Sequence, residues 1–207
     1  MKAIAQWISK FFALLAFASA SSYAQTVDVK ALAETMKQGG YVIVFRHGAT
    51  NRDQADTDPL NHDNISRQRL LSEGGKELAA QVGASFKALQ IPIGRVYTSK
   101  FNRAVETGRL IAGTETTSTL DITEGGLVVT PIENDRRAEA LRRMAATSPE
   151  SGKNTLLVTH KPNIIDAFGK DWFEVKEGEA SIFRSDGAGK AVAIARVQAI
   201  EWVRAAK

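Results

Sequence analysis

Cysteine is absent from these 207 residues, so the fold can use neither a disulfide nor a thiolate zinc site. Histidine is scarce, with three in the chain, and each therefore needs an explanation. No long block of one charge occurs. The balance of 27 basic against 23 acidic residues is too slight to point to nucleic acid or an anionic membrane surface, and no nucleic-acid partner is expected. The one extended apolar run is Phe11 to Ala20. It follows Met1 to Lys10, which carries Lys2 and Lys10 and no acid, and it precedes Ser22-Tyr23-Ala24 and Gln25. The order of basic, apolar and small segments describes a secretory signal peptide, and the apolar run is too short to span a bilayer comfortably. We expect a signal over 1–24 and a mature single domain over 25–207, exported to the periplasm or secreted, without stable membrane association after cleavage. A retained N-terminal anchor is the alternative. Removing Lys2 and Lys10 leaves 25 basic residues against 23 acids. ATP is not available in such a compartment, which favours hydrolysis or binding over kinase or pump chemistry.

Beyond the leader, helix-like and strand-like segments alternate without a long linker. Val27 to Lys37 reads as a short amphipathic helix closed by Gly39-Gly40, and "YVIVF", Tyr41 to Phe45, as a buried strand. Ala49 to Arg69 is polar, rich in Asn and Asp, and predicts a long loop, of the kind that is either functional or mobile. Gly75 to Leu89 predicts a helix, Gly94 to Thr98 a strand, Phe101 to Ile111 a helix and Thr116 to Ile122 a third strand. Glu133 to Ala146 follows as a helix with Arg136, Arg137, Arg142 and Arg143 on a solvated face. Thr155 to Thr159 is another buried strand and Asn163 to Phe168 a short helix. Ala180 to Phe183 and Ala191 to Arg196 form a hairpin across Asp186-Gly187. Such alternation implies an α/β fold, a three-layer sandwich whose mostly parallel sheet is covered on both faces.

Two histidines then fall at equivalent places. "VIVFRHG" puts Arg46, His47 and Gly48 at the carboxyl end of one strand, and "LLVTHKPN" puts His160 at the end of another. In a parallel sheet those ends share one edge, where ligands bind. Between them, Ser99 ends a strand and Arg103 opens the next helix, whose free amide hydrogens favour an anion. Two arginines and two histidines at one edge suit a phosphate monoester. Guanidinium forks match phosphate oxygens and neutralise charge that would repel a nucleophile. An imidazole can attack phosphorus through one nitrogen if the other is held by an acceptor.

The segments Arg46-His47-Gly48, Ser99-x-x-x-Arg103-Ala104-x-Glu106-Thr107 and Val158-Thr159-His160, with "LLSEGGKELAAQVG" from Leu70 to Gly83, resemble the histidine phosphatase superfamily, which includes phosphoglycerate mutases and acid phosphatases. The likeness runs from about Tyr41 to Ile165. It implies a phosphoglycerate mutase-like fold, with His47 as nucleophile, Arg46 and Arg103 as phosphate ligands, and His160 as a further contact to the transferring group. It implies neither a cofactor nor a metal. Thr50 and Asn51 are placed to touch substrate or simply to open the loop.

The proton donor to the leaving group is less defined. Lys161 follows His160 where some relatives carry an aspartate. Glu179 is the first candidate, because an antiparallel "ASIF" strand would begin at the His47 edge; Glu124 and Glu133 are the alternatives, and a site without a dedicated acid is also open. His62 reads as a loop residue. Arg67 and Arg69 read as a solvated basic face, or as contacts favouring substrates with a second anionic group. Trp172, Phe173 and Trp202 read as packing anchors. The expectation is a metal-independent phosphomonoesterase acting on a small phosphorylated molecule or envelope sugar phosphate. The alternative is a non-catalytic phospho-ligand-binding protein on the same fold. Oligomeric state is not legible.

Overall fold

The computed structural model describes residues 27–207, so the leader expected over 1–24 lies outside the described residues. Helix α1 (Val29–Met36) starts where the Asp28 side chain accepts a hydrogen bond from the Ala31 N–H at 3.0 Å. It leads into β1 (Val42–Arg46), where Val42, Ile43, Val44 and Phe45 are all buried. Such a run has no solvent face, as a central strand requires.

The remaining elements are α2 (Glu73–Ala88), β2 (Ile93–Ser99), α3 (Asn102–Ala112), β3 (Thr117–Thr119), α4 (Pro131–Ala146), β4 (Asn154–Thr159), α5 (Lys161–Phe168), β5 (Glu179–Ser185), β6 (Ala191–Gln198) and α6 (Ala199–Ala205). The sheet order is β3-β2-β4-β1-β5-β6. The first four strands in that order pair in parallel, while β5 and β6 add antiparallel rungs at one side. Ile43, Phe45, Leu156 and Val158 face α1, α2, α3 and α6, packing with Val82, Phe86, Ile111 and Trp202. Val42, Val44, Leu157 and Phe183 point the other way, onto Leu141 and Ala145 of α4 and Ile164 of α5. The three-layer, mostly parallel architecture is the expected one.

Several boundaries differ. The third strand is three residues long, because the Thr119 hydroxyl accepts the Asp121 N–H and turns Leu120–Ile122 into a 3-10 helix. Helix α4 begins two residues early, with Thr130 capping and Pro131 in the first turn. Arg137 is a correction. It lies buried, not on a solvated face, donating from Nε to Glu133 at 2.8 Å and from Nη1 to the Thr123 carbonyl at 2.9 Å. Helix α6 lacks a sequence signal of the usual type. It opens on Gln198, whose N–H donates to the Glu201 carboxylate at 2.7 Å. Trp202 is buried edge-on against Phe86, with ring centroids 5.1 Å apart, and so fixes α6 on α2. Among the described residues no helix is long and apolar enough to cross a membrane.

Candidate active site

Strands β1 and β4 lie side by side in parallel, with Phe45 opposite Val158 and Arg46 opposite Thr159. The His47 N–H continues the ladder to the Thr159 carbonyl at 3.1 Å. Both histidines therefore leave the same edge of the sheet, and their ring centroids are 5.1 Å apart. His47 is 2% exposed and His160 fully buried.

Hydrogen bonds fix which nitrogen each ring presents. His47 Nδ1 lies 2.8 Å from the Gly48 carbonyl, which can only accept, so Nδ1 carries the proton and the Nε2 lone pair is free. His160 Nε2 lies 2.7 Å from Ser99 Oγ, which already accepts the Phe101 N–H at 3.1 Å. The Glu124 carboxylate, 3.7 Å from His160 Nδ1, favours the proton on that nitrogen, and the Ser99 hydroxyl then donates to Nε2. Burial holds the His47 pKa well below the ordinary histidine value, reinforced by His160, Arg103 and Arg46. His160 is depressed likewise, by burial and then by Arg103, Arg69 and Arg46. Both shifts favour the neutral ring.

Each arginine is gripped by its outer nitrogens. Arg46 Nη1 donates to the Val175 carbonyl at 2.7 Å, and Nη2 lies 3.8 Å from Glu177. Arg103 is fully buried, with its guanidinium 4.3 Å above the Phe101 ring. Its Nη1 donates to Asp56 at 3.0 Å and its Nη2 to Glu124. Among the described residues, Nε of Arg46, Nε of Arg103 and Nδ1 of His160 are buried donors without a hydrogen-bond partner. Buried donors are rarely left so, and three beside one free imidazole lone pair make a receptor for a tetrahedral oxyanion. Thr107 ties the frame together, accepting the Gly48 N–H at 3.1 Å and donating to the Arg103 carbonyl at 2.7 Å.

Of the three acid candidates, Glu124 alone enters this cluster. Besides contacting Arg103, its carboxylate lies 3.7 Å from His160 Nδ1. The backbone presenting it is pinned at the Thr123 carbonyl by Arg137 and by the Asn163 amide at 3.2 Å. Glu179 begins an antiparallel β5 at the expected edge, but its side chain is buried and bonded to other partners. It accepts from Arg196, from Gln198 and from the Lys176 N–H, so both oxygens are occupied. Glu133 is held by Arg136 and Arg137, which pull its pKa down to about 2, far from a proton donor's range.

Thr50 and Asn51 serve the loop: the Thr50 hydroxyl donates to Glu177 at 3.0 Å and the Asn51 amide to the Leu71 carbonyl at 3.3 Å. His62 stacks edge-on against Phe101 at 5.1 Å, covering the platform under Arg103. Arg67 is exposed, whereas the Arg69 carbonyl accepts from Arg103 at 3.4 Å, which brings that residue to the site. Trp172 and Trp202 pack as expected; Phe173 does not, being 60% exposed beneath the Lys161 ammonium at 4.7 Å. Asp56, Glu177 and Gln68 escape a reading of the sequence because their roles depend on where the loops fold back. Gln68 accepts the Asn102 N–H at 2.8 Å, capping α3 from the loop. Among the described residues no group of three His, Cys, Asp or Glu side chains is arranged to hold a metal ion.

Comparison with known families agrees with this geometry. The model of the histidine phosphatase superfamily (branch 1) matches residues 42–126. The matched segment holds Arg46, His47, Arg103 and Glu124 of the site. The structure of the protein histidine phosphatase SixA complexed with tungstate aligns at a TM-score of 0.54 and 18% identity, covering 77% of this chain and 97% of that one. YhfR from Bacillus stearothermophilus aligns at 0.55 and 17% identity, over 78% and 99%. A phosphoserine phosphatase mutant from Entamoeba histolytica, in complex with phosphoserine, aligns at 0.52 and 15% identity, over 77% and 97%. At these identities the likeness is one of fold. A search of curated proteins gave no match. The family-model match over residues 42–126 is consistent with phosphatase or mutase chemistry.

Proposed function

We propose that this protein is a metal-independent phosphomonoesterase acting through phospho-His47. The observation that carries the reading is the free Nε2 lone pair of a neutral His47 beside three buried, unpartnered donors. Arg46 and Arg103 neutralise the phosphoryl oxygens, and His160 Nδ1–H adds a donor where charge grows in the transition state. His47 Nε2 forms a bond to phosphorus as the ester P–O bond breaks, and Glu124 gives its proton to the departing oxygen. Water then attacks phospho-His47. Its proton passes to the Glu124 carboxylate, phosphate leaves, and the P–N pair returns to the imidazole. Glu124 replaces Glu179 in this role because it is the acid whose carboxylate meets the cluster.

The leader-like residues 1–24 support export and a periplasmic site of action. Substrates there would be small phosphorylated molecules or envelope sugar phosphates. The test is hydrolysis by the purified protein with EDTA present, from p-nitrophenyl phosphate to sugar phosphates, beside His47→Ala. Turnover that survives chelation and disappears in the variant is expected. Phosphate binding without turnover would instead mark a phospho-ligand-binding protein. N-terminal mass analysis of the exported chain should find it beginning near Gln25.

A further inference from the structure

The long loop joining β1 to α2 reaches into the site through one acid. Asp56 Oδ1 accepts from Arg103 Nη1 at 3.0 Å and from the Arg69 N–H at 2.9 Å. The same Nη1 donates to the Arg69 carbonyl at 3.4 Å. Both contacts on that nitrogen thus come from one loop, and one of its anchors is itself held by the backbone. Phe101, below the guanidinium, sets its plane; the Nη1 partners set its rotation within that plane. A guanidinium is rigid, so fixing one nitrogen fixes the direction of the others. With Nη1 saturated and one Nη2–H on Glu124, the donors left for an anion are the second Nη2–H and the buried Nε–H, whose nitrogen has no partner.

We propose that Asp56 is a positioning residue that aims the Nε–H of Arg103 at the phosphoryl group; this rests on the reading of Arg103 as a phosphate ligand. Asp56 acts through Arg103, and its second carboxylate oxygen has no part in the device. Its task is that of an acceptor at a fixed point, so an amide oxygen in the same place performs it. The opposite possibility is that the carboxylate competes with phosphate for Arg103, in which case removing its charge would tighten anion binding.

The experiment compares Asp56→Ala and Asp56→Asn with the wild-type chain in three measurements. These are hydrolysis of p-nitrophenyl phosphate, calorimetric binding of inorganic phosphate, and thermal melting. Asp56→Ala should lower kcat/KM and phosphate affinity by between about tenfold and a hundredfold, with kcat falling as well as KM rising, because a misaimed donor also misses the transition state. Asp56→Asn should recover to within about threefold of wild type. Three results would overturn the proposal: Asp56→Ala melts earlier yet keeps its kinetic constants, the two variants are equally impaired, or Asp56→Asn binds phosphate more tightly than wild type. Should the wild type bind phosphate without turning over, the calorimetric comparison still decides the question. Should it do neither, the phosphatase reading falls and this proposal with it.

Discussion

A nucleophilic imidazole must be unprotonated, and His47 is buried beside His160 and two arginines that depress its pKa. The acid limb of kcat/KM should therefore lie below the ordinary histidine value of about 6.5, once the substrate's own phosphate ionisation is allowed for. A pH profile of the free enzyme checks this, and an acid limb above that value would mean that the ring is solvated in solution. Glu124 is tested by leaving group. Glu124→Gln should slow alkyl phosphates by about a hundredfold to ten-thousandfold, and p-nitrophenyl phosphate much less, since nitrophenolate departs without a proton. Glu179→Gln should show no such dependence on the leaving group. The contrast between these acids explains what a sequence reveals and what it hides. An antiparallel β5 brings Glu179 to the correct edge, yet side chains alternate across a strand. Ala180 and Ile182 face the α2 side, while Ser181 bonds Trp172 on the other, and Glu179 shares that second parity with Arg196. The edge was predictable from topology. The face depends on a register that the neighbouring strands decide.

Among the elements, β1 and β4 were legible because strands buried on both faces must be apolar throughout. Their histidines were conspicuous for the same reason, as polar residues ending apolar runs. Helix α6 was not, since the residue capping it is Gln198, the last of β6, and its anchor, Trp202, could equally have packed from a loop. Trp202→Ala should cost about 3–5 kcal/mol by large-to-small truncation in the core, read from the urea midpoint. Helix α2 makes a different demand near the site. A Cβ placed on Gly75 would lie 2.1 Å from the Ala49 carbonyl oxygen, one residue beyond Gly48. Alanine is worth about 1 kcal/mol over glycine inside a helix, but this contact is far closer than any real one. Gly75→Ala should therefore lose activity by moving the segment that carries His47, and the loss should appear in kcat/KM at temperatures where the protein stays folded.

For the whole molecule, two histidines buried as neutral rings tie stability to acidity. Their folded pKa values lie below the unfolded value, so between the two the unfolded chain binds more protons. Stability should fall as pH drops below about 6.5, each histidine adding a slope of up to about 1.4 kcal/mol per pH unit until its folded value is passed. Urea midpoints measured from neutral to acidic pH should show the decline, and His160→Asn should make it shallower.

The pairing of β1 with β4 joins residues whose numbers differ by 113, as do Val42 and Thr155. That separation has a consequence in time. A chain being made, or refolding from denaturant, holds His47 long before it holds the neighbouring strand that brings His160 beside it. Closing so large a loop is slow compared with forming the local helices. Recovery of phosphate binding should consequently trail recovery of helical signal in a stopped-flow refolding experiment, and a nascent chain lacking β4 should be chemically silent although Arg46, His47 and Arg103 are already present.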